Sequence, residues 1–234
     1  MAPTVTFVPG FMQRGDAWQP VAAALAPRYR VQTLDFSTWT LEGRLGEMPP
    51  GGALVGYSMG GRIALHAALR EPDRFQALAL IGVSAGVDDR EERRRSDEEL
   101  AAWIETHSIE EVVERWERQP VFGTQSAALR AQQRPGRLSH DPLELAQLLR
   151  SAGQGATPPV WDRLHELRRP VLLVAGERDE PYVAAANRMA SLMPNARVRI
   201  VPGAGHAPQL EQPLLVAELL DEYLSDGLVV DREA

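Results

Sequence analysis

Apolar residues along this chain fall into two alternating rhythms. Short continuous runs are followed by longer stretches in which apolar positions recur every third or fourth residue. The run TVTFVPG (Thr4–Gly10) reads as a buried strand closed by a Pro-Gly turn, and DAWQPVAAALAPR after it reads as a helix with Asp16 as its N-cap. RVQTLDF (Arg30–Phe36) predicts a second strand. GALVGYS predicts a third, and MGGRIALHAALREP a helix that stops near Pro72. FQALALIGV (Phe75–Val83) is the fourth strand. RPVLLVAGERD is the fifth, with a helix through PYVAAANRMASLM. ARVRIVPGAGH is the sixth, and PLLVAELLDEYL closes as a helix. Apolar strands alternating with helices predict an α/β domain, a mostly parallel sheet of about six strands covered by helices on both faces.

The pattern changes between Val83 and Pro170. DDREERRRSDEELAAWIETHSIEEVVERWERQPVF is charged, helical and free of strand signals, and DPLELAQLLRSA continues it. A helical insertion between two strands of a parallel sheet predicts a cap over the strand ends, at residues 86–157, with residues 1–85 and 158–234 forming the core. No internal repeat or low-complexity tract interrupts this organisation.

Composition narrows the chemistry. The chain has 234 residues and no cysteine, which excludes thiol catalysis, disulfides and cysteine-bound metal. The formal net charge of −7 argues against a nucleic-acid-binding face. All 25 of the Lys+Arg residues are arginine, so Schiff-base and Walker-type lysine chemistry is excluded, and any cation in a site here is a guanidinium. No apolar run reaches membrane-spanning length, and the first residues lack the pattern of a secretory leader. A cytoplasmic protein without membrane or nucleic-acid partners is expected.

In a parallel sheet, reactive groups gather at the carboxyl ends of the strands. Four candidates fall there. Ser58 sits in Gly56-Tyr57-Ser58-Met59-Gly60 between the third strand and its helix, the context in which Gly-x-Ser-x-Gly forms a tight turn that presents the serine hydroxyl. Asp179 follows the fifth strand in VAGERDE, where Glu177 and Glu180 compete for the same role. His206 follows the sixth in VPGAGHAP. The other histidines, His66, His107, His140 and His165, lie in helical or cap segments and read as core or surface residues. The turn VPGF ends the first strand, and the backbone N–H of Phe11 facing that of Met59 would form an oxyanion hole. Three polar residues, each after its own strand in the order Ser58, Asp179, His206, make a specific constellation.

These residues resemble the α/β-hydrolase fold superfamily over nearly the whole chain. GYSMGGRIALHAAL, DREERRRSDEELA, WERQPVF, RLSHDP, PPVWDRLHELRRPVLLVAGERDE and IVPGAGHAPQLEQP are similar, more narrowly, to the 2-succinyl-6-hydroxy-2,4-cyclohexadiene-1-carboxylate synthases of menaquinone biosynthesis. The cap segments carry most of that likeness, because caps differ widely among hydrolase subfamilies. The resemblance implies a lyase that takes a proton next to a succinyl ketone and expels pyruvate, with no metal or organic cofactor. It implies a small substrate with three carboxylates. Arg62 matches the arginine after the family's nucleophile motif. Arg93 is the arginine best spaced to Asp97 in the cap, with Arg94 and Arg95 as rivals, and Arg137 of RLSHDP matches a third. Tyr57, Trp116 and Phe122 match aromatic positions of the family's pocket.

The chain also departs from its relatives. Pro9-Gly10 stands where His-Gly is usual, and DFSTWT stands where D-x-P-G-x-G is common. The leading hairpin is expected to be absent. These changes lie on the oxyanion side. They keep open a serine hydrolase, an esterase or carbon–carbon bond hydrolase acting on a small carboxylated substrate, and, more remotely, a non-catalytic binding protein of the same fold.

Overall fold

Strands buried on both faces form the centre of the molecule. The structure is a computed structural model that describes residues 2–227. In β1 (Thr4–Val8), β3 (Ala53–Tyr57), β4 (Ala77–Ile81) and β5 (Val171–Gly176) nearly every residue is buried. β2 (Arg30–Thr33) and β6 (Ala196–Val201) are more exposed and form the two edges. The order is β2-β1-β3-β4-β5-β6 and every pairing is parallel. Alternation divides the strand side chains between two cores. Val5, Phe7, Ala53, Val55, Ala77, Ala79, Leu172 and Val174 join one core with α1 (Gln19–Leu25) and the last helix, Pro213–Gly227. Leu54, Leu78, Leu80, Val171 and Leu173 face the other, with α2 (Leu41–Glu47), α3 (Ser58–Arg70) and the helix Glu180–Leu192.

Between β4 and β5 lie four helices and no strand: α4 (Arg90–Glu105), α5 (Ile109–Glu117), α6 (Ala127–Leu138) and α7 (Pro142–Ala152). Each starts at a side-chain cap. Asp89, Ser108, Ser126 and Asp141 accept hydrogen bonds from first-turn N–H groups, and Ser108 with Glu111 completes a capping box. The remaining helices are α8 (Glu180–Leu192), α9 (Pro208–Glu211) and α10 (Pro213–Gly227).

Three local expectations are corrected. Asp16 is not an N-cap. It lies inside a 3-10 turn, Gly15–Trp18, and the N–H of Gly15 is taken by Asp35 from the end of the second strand segment, at 2.8 Å. The second strand stops at Thr33, opposite Phe7; a last backbone bond from Leu34 N–H to Phe7 O follows at 2.9 Å, and the chain then leaves the sheet. The stretch after it, where no element was expected, forms α2, capped by Thr40.

The sheet order fixes where a ligand can sit. The chain runs from β1 outward to β2, returns to β3 on the other side of β1, and then continues outward to β6. β1 and β3 are therefore the strands at which the winding reverses, and the crevice beyond their carboxyl ends is the topological switch point. Turning β3 into α3 beside β1 requires backbone-to-backbone approach. A Cβ at Gly60 would lie 2.2 Å from the carbonyl oxygen of Pro9, and one at Gly56 would lie 2.5 Å from the Cα of Gly61. Gly60→Ala should therefore destabilise the protein by about 2 kcal/mol through forced backbone displacement. Urea denaturation checks this, and an unchanged midpoint would contradict it.

Two histidines are held neutral. Burial, and then neighbouring guanidiniums, pushes His66 and His140 from 6.5 down to about 4. His140 is buried against the edge of Trp39, and neither ring nitrogen has a hydrogen-bond partner. The unfolded chain takes up these protons below pH 6.5 while the folded chain does not. Their contribution to stability is therefore complete above pH 6.5 and is lost as pH falls towards 4. His140→Phe should lose less stability than the parent over that interval in thermal melts, and an identical acid loss would contradict the assignment.

Candidate functional site

Ser58 is both the first residue of α3 and the point at which β3 ends. Its φ is +49°, a left-handed conformation that is unfavourable for a non-glycine residue. The strain turns the hydroxyl away from the helix axis and towards the β6 loop. There His206 Nε2 lies 3.2 Å from Ser58 Oγ, and His206 Nδ1 lies 2.7 Å from Asp179 Oδ2. Asp179 and His206 are both buried. The three residues expected from their strand-end positions are thus joined in one hydrogen-bond chain. The rivals of Asp179 have other places. Glu177 accepts the N–H of Gly203 at 2.8 Å, and Glu180 is exposed in the first turn of α8.

The loop that carries His206 is fixed on both sides. Glu211 accepts the N–H of Gly205 at 2.9 Å and that of Ala207 at 3.3 Å, so one carboxylate holds the residues before and after the imidazole. Tyr57 and Tyr182 pack against the ring of His206, with centroid distances of 5.4 and 4.5 Å. Burial raises the Tyr57 phenol well above its ordinary value, helped by the nearby Tyr182 and Asp179, so the phenol stays neutral. The β1 turn folds back on itself, with Gln13 N–H donating to Gly10 O at 3.3 Å and Met12 at φ +61°. Phe11 and Met59 both border the cavity beside Ser58. Met59 lies in the first turn of α3, where backbone N–H groups have no acceptor within the helix.

A cavity of about 250 Å³ opens between these strand ends and helices α4–α7. Tyr57, Ser58, Met59, Arg62 and His206 form its floor, and Arg93, Trp116, Phe122 and Arg137 reach it from the insertion. Trp116 packs between Phe11, edge to face, and Phe122, tilted, at centroid distances of 5.2 and 5.3 Å. Of Ser58, Asp179, His206, Phe11, Met59, Tyr57, Arg62, Arg93, Trp116, Phe122 and Arg137, all except Asp179 border this cavity, and Asp179 stands behind His206. All three arginines of the run Arg93-Arg94-Arg95 are exposed, and Arg93 is the one that borders the cavity.

The three guanidiniums differ in what they already hold. Arg93 Nε donates to Asp97 at 2.8 Å, and the other oxygen of Asp97 accepts the N–H of Gly155 at 2.9 Å. Arg137 is almost wholly buried and pairs with Glu117 at 3.0 Å. Arg62 is also buried but has no carboxylate partner among the described residues. One Nη donates to the carbonyl of Ala152, the last residue of α7, at 2.9 Å, and its Nε has no partner. Burial lowers Arg62 to about 10, which leaves it charged at neutral pH. The N-terminal turn of its own helix disfavours a cation, whereas the carbonyl end of α7 favours one.

Sequence reasoning did not single out Tyr182, Gln154 or Gln125, which also border the cavity. Tyr182 had a usable signal, since it lies one helical turn beyond Asp179. Gln154 donates to its hydroxyl at 3.1 Å. Nothing in the local pattern marks Gln125. Among the described residues, no cluster of three His, Cys, Asp or Glu side chains is arranged to hold a metal ion. No helix among them is long and apolar enough to cross a membrane.

The profile of the Alpha/beta hydrolase family matches residues 7–219. A Bacillus subtilis (strain 168) protein provisionally named 2-succinyl-6-hydroxy-2,4-cyclohexadiene-1-carboxylate synthase is 38% identical over 178 residues, which cover 74% of this chain and 65% of that protein's length. The 2-succinyl-6-hydroxy-2,4-cyclohexadiene-1-carboxylate synthase of Salmonella schwarzengrund (strain CVM19633) is 30% identical over 95% of this chain and 94% of its own. The solved structure of MenH from S. aureus superposes with a TM-score of 0.92 at 28% identity, covering 97% of this chain and 95% of that one. The chain belongs to the α/β-hydrolase family and groups within it with the 2-succinyl-6-hydroxy-2,4-cyclohexadiene-1-carboxylate synthases.

Proposed function

We propose that this chain is a carbon–oxygen lyase that eliminates pyruvate from 2-succinyl-5-enolpyruvyl-6-hydroxy-3-cyclohexene-1-carboxylate. The observation that carries the reading is one cavity bordered both by Ser58, 3.2 Å from His206, and by three guanidiniums, Arg62, Arg93 and Arg137. The substrate has three carboxylates. A planar guanidinium recognises a carboxylate by paired hydrogen bonds, and Arg62 has a free buried N–H for that purpose. The similarity to named synthases supports the same reading. Residues 86–157 would act as the cap that encloses the substrate.

The chemistry follows from the substrate's connectivity. The proton at C2, next to the succinyl ketone, is the acidic one. His206, oriented by Asp179, draws the proton from Ser58 Oγ, which then removes the C2 proton. Negative charge develops on the ketone oxygen, where the N–H groups of Phe11 and Met59 would receive it. The electron pair then moves through the ring. C2=C3 forms, the C3=C4 double bond shifts to C4=C5, and the C5–O bond breaks. Pyruvate departs as its enolate, is protonated and ketonises, and the ring is left as the conjugated diene. A strained serine turn and a His–Asp pair also suit ester hydrolysis. The cations in the cavity favour an organic tri-acid over a neutral ester.

Incubation of the purified protein with the enolpyruvyl substrate should release pyruvate in step with diene absorbance. Ser58→Ala should lose about 10²–10⁴-fold in rate while keeping its fold by circular dichroism. Efficient turnover of a p-nitrophenyl ester with none of the enolpyruvyl substrate would contradict the lyase reading, and full activity in Ser58→Ala would remove Ser58 from the mechanism. Arg62→Ala should lose roughly 10²-fold on the carboxylated substrate. It should lose little on a neutral ester, and equal losses would make Arg62 a purely structural tie to α7.

A further inference from the structure

Among the described residues, ten buried side-chain polar atoms on seven residues lack a hydrogen-bond partner. Two of the residues that line the cavity carry such atoms, Arg62 at Nε and Gln125 at both terminal atoms, each buried just behind the surface. Gln125 is 3% exposed and lies in the turn between Phe122 and α6, where its backbone N–H donates to the carbonyl of Phe122 at 3.1 Å. Its neighbour Thr124 packs against Gly205, immediately before His206, so this turn closes the cavity on the imidazole side. A buried primary amide with neither its N–H nor its carbonyl satisfied is costly for a folded protein. An apolar side chain of similar size would serve packing better. An amide retained at that cost, on the wall of a ligand cavity, points to a partner that arrives with the ligand.

We propose that Gln125 is a specificity residue that binds the ring hydroxyl of the substrate. The inference rests on the lyase reading given above, and it follows by elimination. The three carboxylates are matched by guanidiniums, and the ketone oxygen by the backbone N–H pair of Phe11 and Met59. The ring hydroxyl is the one remaining group that both donates and accepts. A primary amide is its complement, with Nε2–H donating to the hydroxyl oxygen and Oε1 accepting the hydroxyl proton. The terminal amide turns about its last torsion at little cost, so both atoms can meet a group seated beside it. The hydroxyl is untouched by the elimination. The contact therefore exists equally before and during reaction, and it acts on KM more than on kcat.

The test pairs Gln125→Leu with the hydroxylated substrate and its 6-deoxy analogue. The expected result is a loss in kcat/KM of roughly 10–100-fold on the hydroxylated substrate, mostly through KM, with the deoxy analogue unaffected. The variant's Tm should rise by about 2–4 °C, because the unsatisfied amide is gone. A residue that only supports the fold would give the opposite pattern. Equal losses on both substrates, or a lowered Tm with unchanged kcat/KM, would overturn the assignment. Gln125→Met, flexible and close in shape, repeats the comparison if the leucine variant does not fold. Failure of the parent protein to release pyruvate would overturn the lyase reading and this inference with it. Normal turnover by the parent and both variants would overturn only the role of Gln125.

Discussion

The close approach of the first turn of α3 to the end of β1 is the constraint on which the rest of this structure depends. Backbone meets backbone there, with the carbonyl of Pro9 in space that any side chain at residue 60 would occupy. That contact has three consequences. It forces Ser58 into a left-handed conformation that the surrounding packing must hold. It brings the β1 turn alongside the N-terminal turn of α3, so that Phe11 and Met59 border the same cavity. It also lies where the sheet's winding reverses, so the cavity opens beyond the central strands and not at an edge. Replacement of the usual His-Gly by Pro9-Gly10 leaves this contact intact, because it is made by the carbonyl of residue 9 and not by its side chain.

Charge placement builds the second half of the site. Arg93 and Arg137 carry their own counterions, Asp97 and Glu117; Arg137 is buried with its partner, whereas Arg93 stays exposed. Arg62 has only the carbonyl end of α7. It is both the cation with an unused buried N–H and the tie between the core helix and the insertion. A ligand carboxylate seated there would bind the element that bears the serine and the element that closes over it through a single group. The bond to the carbonyl end of α7 offsets the unfavourable dipole of Arg62's own helix.

The elements and the Ser–His–Asp chain were legible because each depends on local pattern. Strand runs, glycine spacing and strand-end position can all be read without knowing what packs against what. What escaped depends on contacts distant in sequence. Asp16 looked like a cap, but it lies inside a 3-10 turn whose first N–H, that of Gly15, is taken by Asp35 from a distant segment. The second strand leaves the sheet after Thr33, although Val8 of its neighbour still lies beyond the last pair. The run Arg93-Arg94-Arg95 could be narrowed only by spacing to Asp97, which favoured Arg93; the structure adds that Asp97 is itself held by the N–H of Gly155. Gln125 carries no local signal at all. Its interest lies in a partner it lacks, which a linear pattern does not record.

The central claim is that Ser58 and His206 remove a proton from carbon, and pyruvate release alone does not isolate it, since water could also cleave the enol ether. The fate of a deuterium at C2 of the substrate does. Elimination makes C2 part of a double bond, so the ring product must lose its deuterium in step with pyruvate release and gain no oxygen. Mass analysis of the ring product should find the label gone. A product that keeps deuterium at C2 and carries a new hydroxyl at C5 would contradict the account and make the protein a hydrolase.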